Sequence, residues 1–328
     1  MIDAPDDVLG PDGLLARTMP AFEGRPGQRA FAARVSEVIA AGGVLLAEAG
    51  TGTGKTLAYL VPAVLSRRRV VVSTATRSLQ DQLAKKDVPL LAAVLPGGVS
   101  AAVLKGRRNY LCLHRFERES ARGADGEAFA RIAAWQEETA TGDRAEVFGV
   151  AEDAPIWDAL TVTSESCLGT RCAHFEACFV TRARARAAAA DIVIVNHHLY
   201  FGDLAVREAG GQALPDHDVV IFDEAHAVPD IAATFFGVQV GSARIETWLR
   251  DVGRAVSTAV PAAVNAVAWQ AEALFGMTRP PEGQRAPWPE DGTPRTWTEA
   301  WLALDGALAD AGSALAARAG EGEAVAAL

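Results

Sequence analysis

The stretch LLAEAGTGTGKTLAYLVPA, Leu45–Ala63, decides the fold. Gly50, Gly52 and Gly54 alternate with Thr51 and Thr53, and Lys55 and Thr56 then open an apolar run. Val44–Ala47 (VLLA) reads as a short buried strand. The residues from about Gly54 read as a helix that Pro62 should kink or end. A strand, a glycine loop and a Lys-Thr pair at a helix start make a phosphate cradle. Glycines let backbone N–H groups turn inward, the helix N-terminus adds positive potential, and Lys55 reaches the β/γ-phosphates. The Thr56 hydroxyl can ligate Mg²⁺. Ala49 stands where the general G-x-x-x-x-G-K-[ST] pattern has its first glycine. An ATP site is therefore expected on Ala49, Gly50, Thr51, Gly52, Thr53, Gly54, Lys55 and Thr56. The bland alternative is a flexible Gly/Thr loop before an ordinary helix.

Downstream, VVIFDEAH (Val219–His226) puts Asp223 and Glu224 just past an apolar, strand-like run. Such an Asp can hold Mg²⁺, the adjacent Glu can direct the attacking water, and His226 would lie beside the γ-phosphate. Alone, two acids on a turn are usually just solvated; paired with the glycine loop they gain meaning. Upstream, Arg25 and Gln28 of RPGQ open a helix with apolar residues at Phe31, Val35, Val38 and Ile39. The Gln28 carboxamide could bond adenine as donor and acceptor. Further strand-like runs lie at 69–74, 100–105, 191–196 and 218–226, with a helical pattern over 78–86. This alternation predicts an α/β fold with a parallel sheet covered by helices on both faces.

The 328 residues suffice for two or three domains. Net charge is −10, yet the segment 67–118 holds eleven Lys/Arg against three Asp/Glu, a basic strip able to meet phosphates. No apolar run is long and clean enough for a bilayer, and the acidic MIDAPDDVLG start lacks signal-peptide order, so a soluble, cytoplasmic protein is expected. Residues 1–22 read as a loose leader. The four cysteines, Cys112, Cys167, Cys172 and Cys178, share one window that lacks a strong strand and has a helical stretch near 125–140. In a reducing compartment such a cluster suggests a metal or cluster site. Four thiolates can hold a cubane. Zinc is the alternative, although Cys112 has no close partner in sequence. The cluster is expected to pin this window, which is too polar and irregular to fold on a core alone. After residue 232 the texture turns Ala-rich and helical, interrupted by a five-proline loop at 279–294.

The motifs RPGQ, AGTGTGKT, VVSTATRSLQDQL, ADIVIVNHHL and DEAH, in this order over about residues 20–230, resemble superfamily 2 helicases of the XPD/DinG type, nearest the bacterial DinG/YoaA group. The resemblance implies a P-loop RecA-like motor domain in two parts, 1–105 and 191–231. It implies an iron–sulfur insertion at 106–190, with the four cysteines as [4Fe–4S] ligands, and a partial helical arch at 232–328. It implies DNA contacts at Thr76, Arg77, Gln80, Lys105, Arg107, Arg108, Asn196 and His197. By that likeness the chain would be the N-terminal half of an ATP-dependent DNA helicase that moves 5′ to 3′ on single-stranded or forked DNA. ATP, Mg²⁺ and the cluster would be its cofactors, and replication or repair proteins its possible partners. A second motor domain would have to complete the ATP site. The competing readings are a non-motor, cluster-containing nucleic-acid-binding module and, more weakly, a P-loop nuclease.

Overall fold

A computed structural model describes residues 3–19, 22–50, 52–164, 166–208, 210–236, 241–256, 260–278 and 295–318. The chain divides into two compact units, 1–237 and 238–328. Strands β1 (Val70–Thr74), β2 (Ala101–Val103), β3 (Ile192–Asn196) and β4 (Val219–Phe222) form one parallel sheet in the order β2-β3-β1-β4. Val70 lies opposite both Ile192 and Val219, and Ser73 opposite both Val195 and Phe222. The fold is the mixed α/β type expected, with its polar strand ends aligned at one edge.

Alternate strand residues point to opposite faces, so each strand feeds two cores. Val70, Val72, Ile192 and Ile194 pack with helices Pro26–Ala41, Lys55–Leu65 and Val88–Val94. Val71, Val193 and Val195 pack with helices Phe179–Ala189 and His197–Glu208 and with residues of the cysteine-bearing segment. Covering on both faces explains why these strands read as nearly unbroken Val/Ile runs. Strand β4 is only half-buried because it lies at the end of the sheet order.

Several expectations need correction. Residues 1–22 are no loose leader: helices Pro5–Leu9 and Leu14–Thr18 bury Val8, Leu9 and Leu15 completely in the first core. Val44–Ala47 forms no strand. Leu45 packs on the first core, while Val44 and Leu46 stay 96% and 89% exposed. Apolar content gave that run a strand's appearance, but it makes no ladder with any described residue. The helix Lys55–Leu65 runs through Pro62 and ends three residues later. The cysteine-bearing segment carries more apolar burial than its composition suggested: Leu111, Ile132, Trp157 and Leu160 are buried to 1% exposure or less. They join the sheet's second face in one apolar cluster. Each such side chain contributes about 1.5–3 kcal/mol, so this segment folds on apolar contacts as well as on any bound group. Gly142, at φ +68°, permits it: a Cβ there would stand 2.2 Å from the Phe179 ring.

In the second unit, helices Ser242–Ala255, Ala262–Thr278 and Arg295–Ala316 share a core of Val252, Val264, Val267, Leu274, Leu304 and Ala311. The five-proline loop lies outside the described residues. Among those described, no helix is long and apolar enough to cross a membrane.

The approach to β4 is held by a buried acid. Asp203 is 1% exposed; its Oδ2 accepts from Arg207 Nε at 2.6 Å and its Oδ1 from the Leu214 N–H at 2.8 Å. Removing the carboxylate takes the acceptor from the Ala213 and Leu214 N–H groups and breaks the ion pair with Arg207. We expect Asp203→Ala to lower stability by about 3 kcal/mol, measured by urea unfolding. A change within error would show that the turn before β4 is held by other contacts.

Candidate functional site

Parallel pairing of β1 with β4 sets the site. The Asp223 N–H donates to Ser73 O at 2.8 Å, continuing the ladder one residue past β4 and placing the acidic pair beside the start of helix Lys55–Leu65. There Lys55 Nζ lies 3.2 Å from Glu224 Oε1, both side chains about one-third exposed. Tyr59, one turn further along the helix, donates its hydroxyl to Asp223 Oδ2 at 3.1 Å. The glycine loop and the acidic turn, 170 residues apart in sequence, thus meet. Glu224 has left-handed backbone angles, φ 57° and ψ 48°, uncommon for a residue with a Cβ. Its N–H donates to Asp223 Oδ1 at 3.1 Å. His226 is 78% exposed, its Nδ1 3.5 Å from Glu224 Oε2.

The loop is braced from upstream. Gln28 is 5% exposed and donates its amide to Gly54 O at 3.0 Å; Arg25 donates to Gly52 O. Gly54 has φ +80°, and a Cβ there would stand 2.2 Å from Gln28 Nε2, so this contact requires glycine. Gln28 therefore supports the loop directly, with its amide already engaged. Thr53 Oγ1 donates to Gly50 O at 2.9 Å. Thr51 lies outside the described residues.

Sequence reading missed Tyr59 and Asp87. Tyr59 is 4% exposed, and burial, with Asp223 beside it, holds its phenol protonated well above the usual range. Asp87 is 8% exposed; burial raises its carboxyl, and Gln82 donates to it at 3.2 Å. A polar aromatic four residues after Lys55 in an otherwise apolar run was the available signal for Tyr59. Asp87 gave none, since it ends a π-helical turn that periodicity does not reveal.

The expected DNA contacts separate. Thr76 is exposed and caps helix Arg77–Gln82 by accepting from the Leu79 N–H; the Arg77 side chain lies outside those described. Arg108 is exposed. Asn196 Oδ1 accepts from the Leu199 N–H at 2.8 Å, capping the next helix. Three residues have largely buried side chains. Gln80 is 1% exposed. His197 is fully buried, its Nδ1 2.7 Å from Ser73 Oγ, and burial pushes its basicity below the ordinary range. Lys105 is buried in an ion pair with Asp143, and its N–H donates to the Tyr110 hydroxyl at 3.0 Å. Gln80 Nε2 and His197 Nε2 are buried with no hydrogen-bond partner among the described residues.

The four cysteines are free thiols, each half-buried. Cys112 and Cys178 directly precede helices Leu113–Ala121 and Phe179–Ala189. Burial pushes the Cys112 thiol above its ordinary range. Cys167 Sγ accepts from Gly169 N and from Arg107 Nη1, each at 3.5 Å. Arg107 thus turns toward a sulfur. His174 pairs with Glu117 at 2.9 Å. Among the described residues no group of three or more His, Cys, Asp or Glu is gathered closely enough to hold a single metal ion.

Comparison with known proteins agrees with these features. A DEAD/DEAH box helicase family model matches residues 27–108, and a DEAD_2 family model matches residues 98–245. The chain is 42% identical over 258 residues to the ATP-dependent DNA helicase YoaA of Escherichia coli, covering 77% of this chain and 41% of the relative. It is 35% identical over 298 residues to the ATP-dependent helicase DinG of Mycobacterium tuberculosis, covering 81% and 44%. It is 33% identical over 252 residues to the 3'-5' exonuclease DinG of Bacillus subtilis, covering 74% and 27%. The chain spans about two fifths of the length of the first two of these curated relatives. Residues 27–245 therefore carry DEAD/DEAH box helicase and DEAD_2 domains, the latter of the XPD/DinG type.

Proposed function

We propose that this chain is the nucleotide-binding and cluster-bearing part of an ATP-dependent DNA helicase, soluble and cytoplasmic. Residues 1–105 and 191–231 form its motor domain, 106–190 its iron–sulfur insertion and 232–328 an arch-like region. The observation that carries this reading is the meeting of Lys55 with Glu224 and of Tyr59 with Asp223. A cation, a general-base carboxylate and a metal-ligating carboxylate surround the end of a glycine loop. The loop N–H groups and Lys55 would hold the β/γ-phosphates of ATP, and Glu224 would orient the attacking water. Thr56 and Asp223 offer the hard oxygen donors that Mg²⁺ requires, and bound Mg²⁺ would neutralise charge on the phosphates. Translocation 5′ to 3′ on single-stranded or forked DNA, with replication or repair partners, extends the same reading to the whole protein.

For the cysteines, four soft, half-buried sulfurs, one of them accepting from the Gly169 N–H, suit an iron–sulfur cluster by their chemistry. Cys112, Cys167, Cys172 and Cys178 would be its ligands, and the cluster would chiefly brace the insertion.

Lys55→Ala should weaken Mg²⁺-ATP binding roughly tenfold or more, the size expected for losing a charge-assisted contact. Isothermal titration measures it, and equal affinity would remove the loop from the site. Anaerobically purified protein should contain about four iron and four sulfide per chain, lost on Cys172→Ser. Stoichiometric zinc would instead decide for the alternative metal. Finally, Arg108→Ala should reduce the salt dependence of single-stranded DNA binding by a slope of about 0.7, whereas Lys105→Met should chiefly lower thermal stability. The reverse pattern would mean that the buried lysine reaches DNA after all.

A further inference from the structure

Tyr59 holds one of the side chains that the nucleotide reading assigns to the metal. Its hydroxyl donates to Asp223 Oδ2 at 3.1 Å. Asp223 Oδ1 accepts from the Glu224 N–H at 3.1 Å, so each carboxylate oxygen has one donor and the carboxylate plane is set. The ring cannot easily move. Tyr59 is 4% exposed and packs in the first core among Ala58, Leu60 and Val61, each fully buried. The phenol thus links the helix that follows the glycine loop to a strand-end carboxylate, a hard oxygen donor suited to a divalent cation.

We propose that Tyr59 is a positioning residue for Mg²⁺: it orients the Asp223 carboxylate so that it can reach the cation. The proposal rests on the nucleotide-binding reading of the loop and adds a separate requirement to it. Loss of the hydroxyl weakens the cation's contribution while leaving the cradle that holds the phosphates.

The test is Tyr59→Phe, which removes one oxygen and keeps the ring, in the chain of residues 1–328. A fluorescent ADP analogue is titrated in EDTA and in saturating Mg²⁺. Mg²⁺ is then titrated at fixed analogue, with thermal melting alongside. The expected result is unchanged affinity in EDTA and a rise of about tenfold in the Mg²⁺ concentration for half-saturation. Unchanged Mg²⁺ half-saturation overturns the proposal, whatever the melting temperature does, and leaves the hydroxyl a purely structural role. Should Tyr59→Phe melt early, Tyr59→His, which restores a donor, must recover the Mg²⁺ response; failure to recover it also overturns the proposal. Analogue binding that Lys55→Ala does not alter marks a failure of the loop assignment itself, a result distinct from an unchanged Tyr59→Phe.

Discussion

One backbone bond, Asp223 N–H to Ser73 O at 2.8 Å, fixes where the acids stand. It extends the parallel β1–β4 ladder by one residue, so the acidic turn begins level with the end of β1. Helix Lys55–Leu65 packs on the same sheet face as Val70 and Val72, which brings Lys55 and Tyr59 to that turn. None of the side-chain contacts at the site would survive a slip of β4 by one residue, because such a slip exchanges the faces of Val219 to Phe222. The apolar alternation of that strand, with Val219 and Ile221 in one core and Val220 and Phe222 in the other, opposes the slip.

The same sheet supports the cysteine-bearing segment. Its second face is covered by helices after β3 and by residues of that segment, and the Lys105–Asp143 pair fastens the end of β2 to it. An ion pair so deeply buried contributes little net stability compared with apolar residues of the same size, and removing one partner is costly. Its value here lies in register, since it joins the residues leading to Cys112 with the turn at Gly142. Leu111 N–H donates to Gly142 O at 2.9 Å in the same place. The first cysteine is therefore placed by the protein's own contacts.

What the sequence made legible followed from local chemistry. The glycine loop, the DEAH turn and the four strands could be read because glycine spacing and β-branched runs report backbone geometry directly. Residues 5–18 could not, since two helices of five residues each have too few turns to display a period, and their burial comes from a distant core. Gln80, His197 and Lys105 were placed at DNA by the resemblance alone, which does not report how far a side chain is buried. Their partners, Ser73 and Asp143 for the latter two, lie 124 and 38 residues away. Val44–Ala47 misled for the opposite reason: composition suggests burial, but ladder pairing depends on a neighbour the run itself does not specify.

Glu224 holds a backbone conformation that glycine or asparagine would adopt more comfortably, at a penalty of roughly 1–2 kcal/mol. Stabilising substitutions at this turn would thus take away the carboxylate that faces Lys55. Position 224 is a point where selection for durability and selection for chemistry pull toward different amino acids. Consensus-style engineering of a hardier variant would have to find its gains elsewhere in the chain.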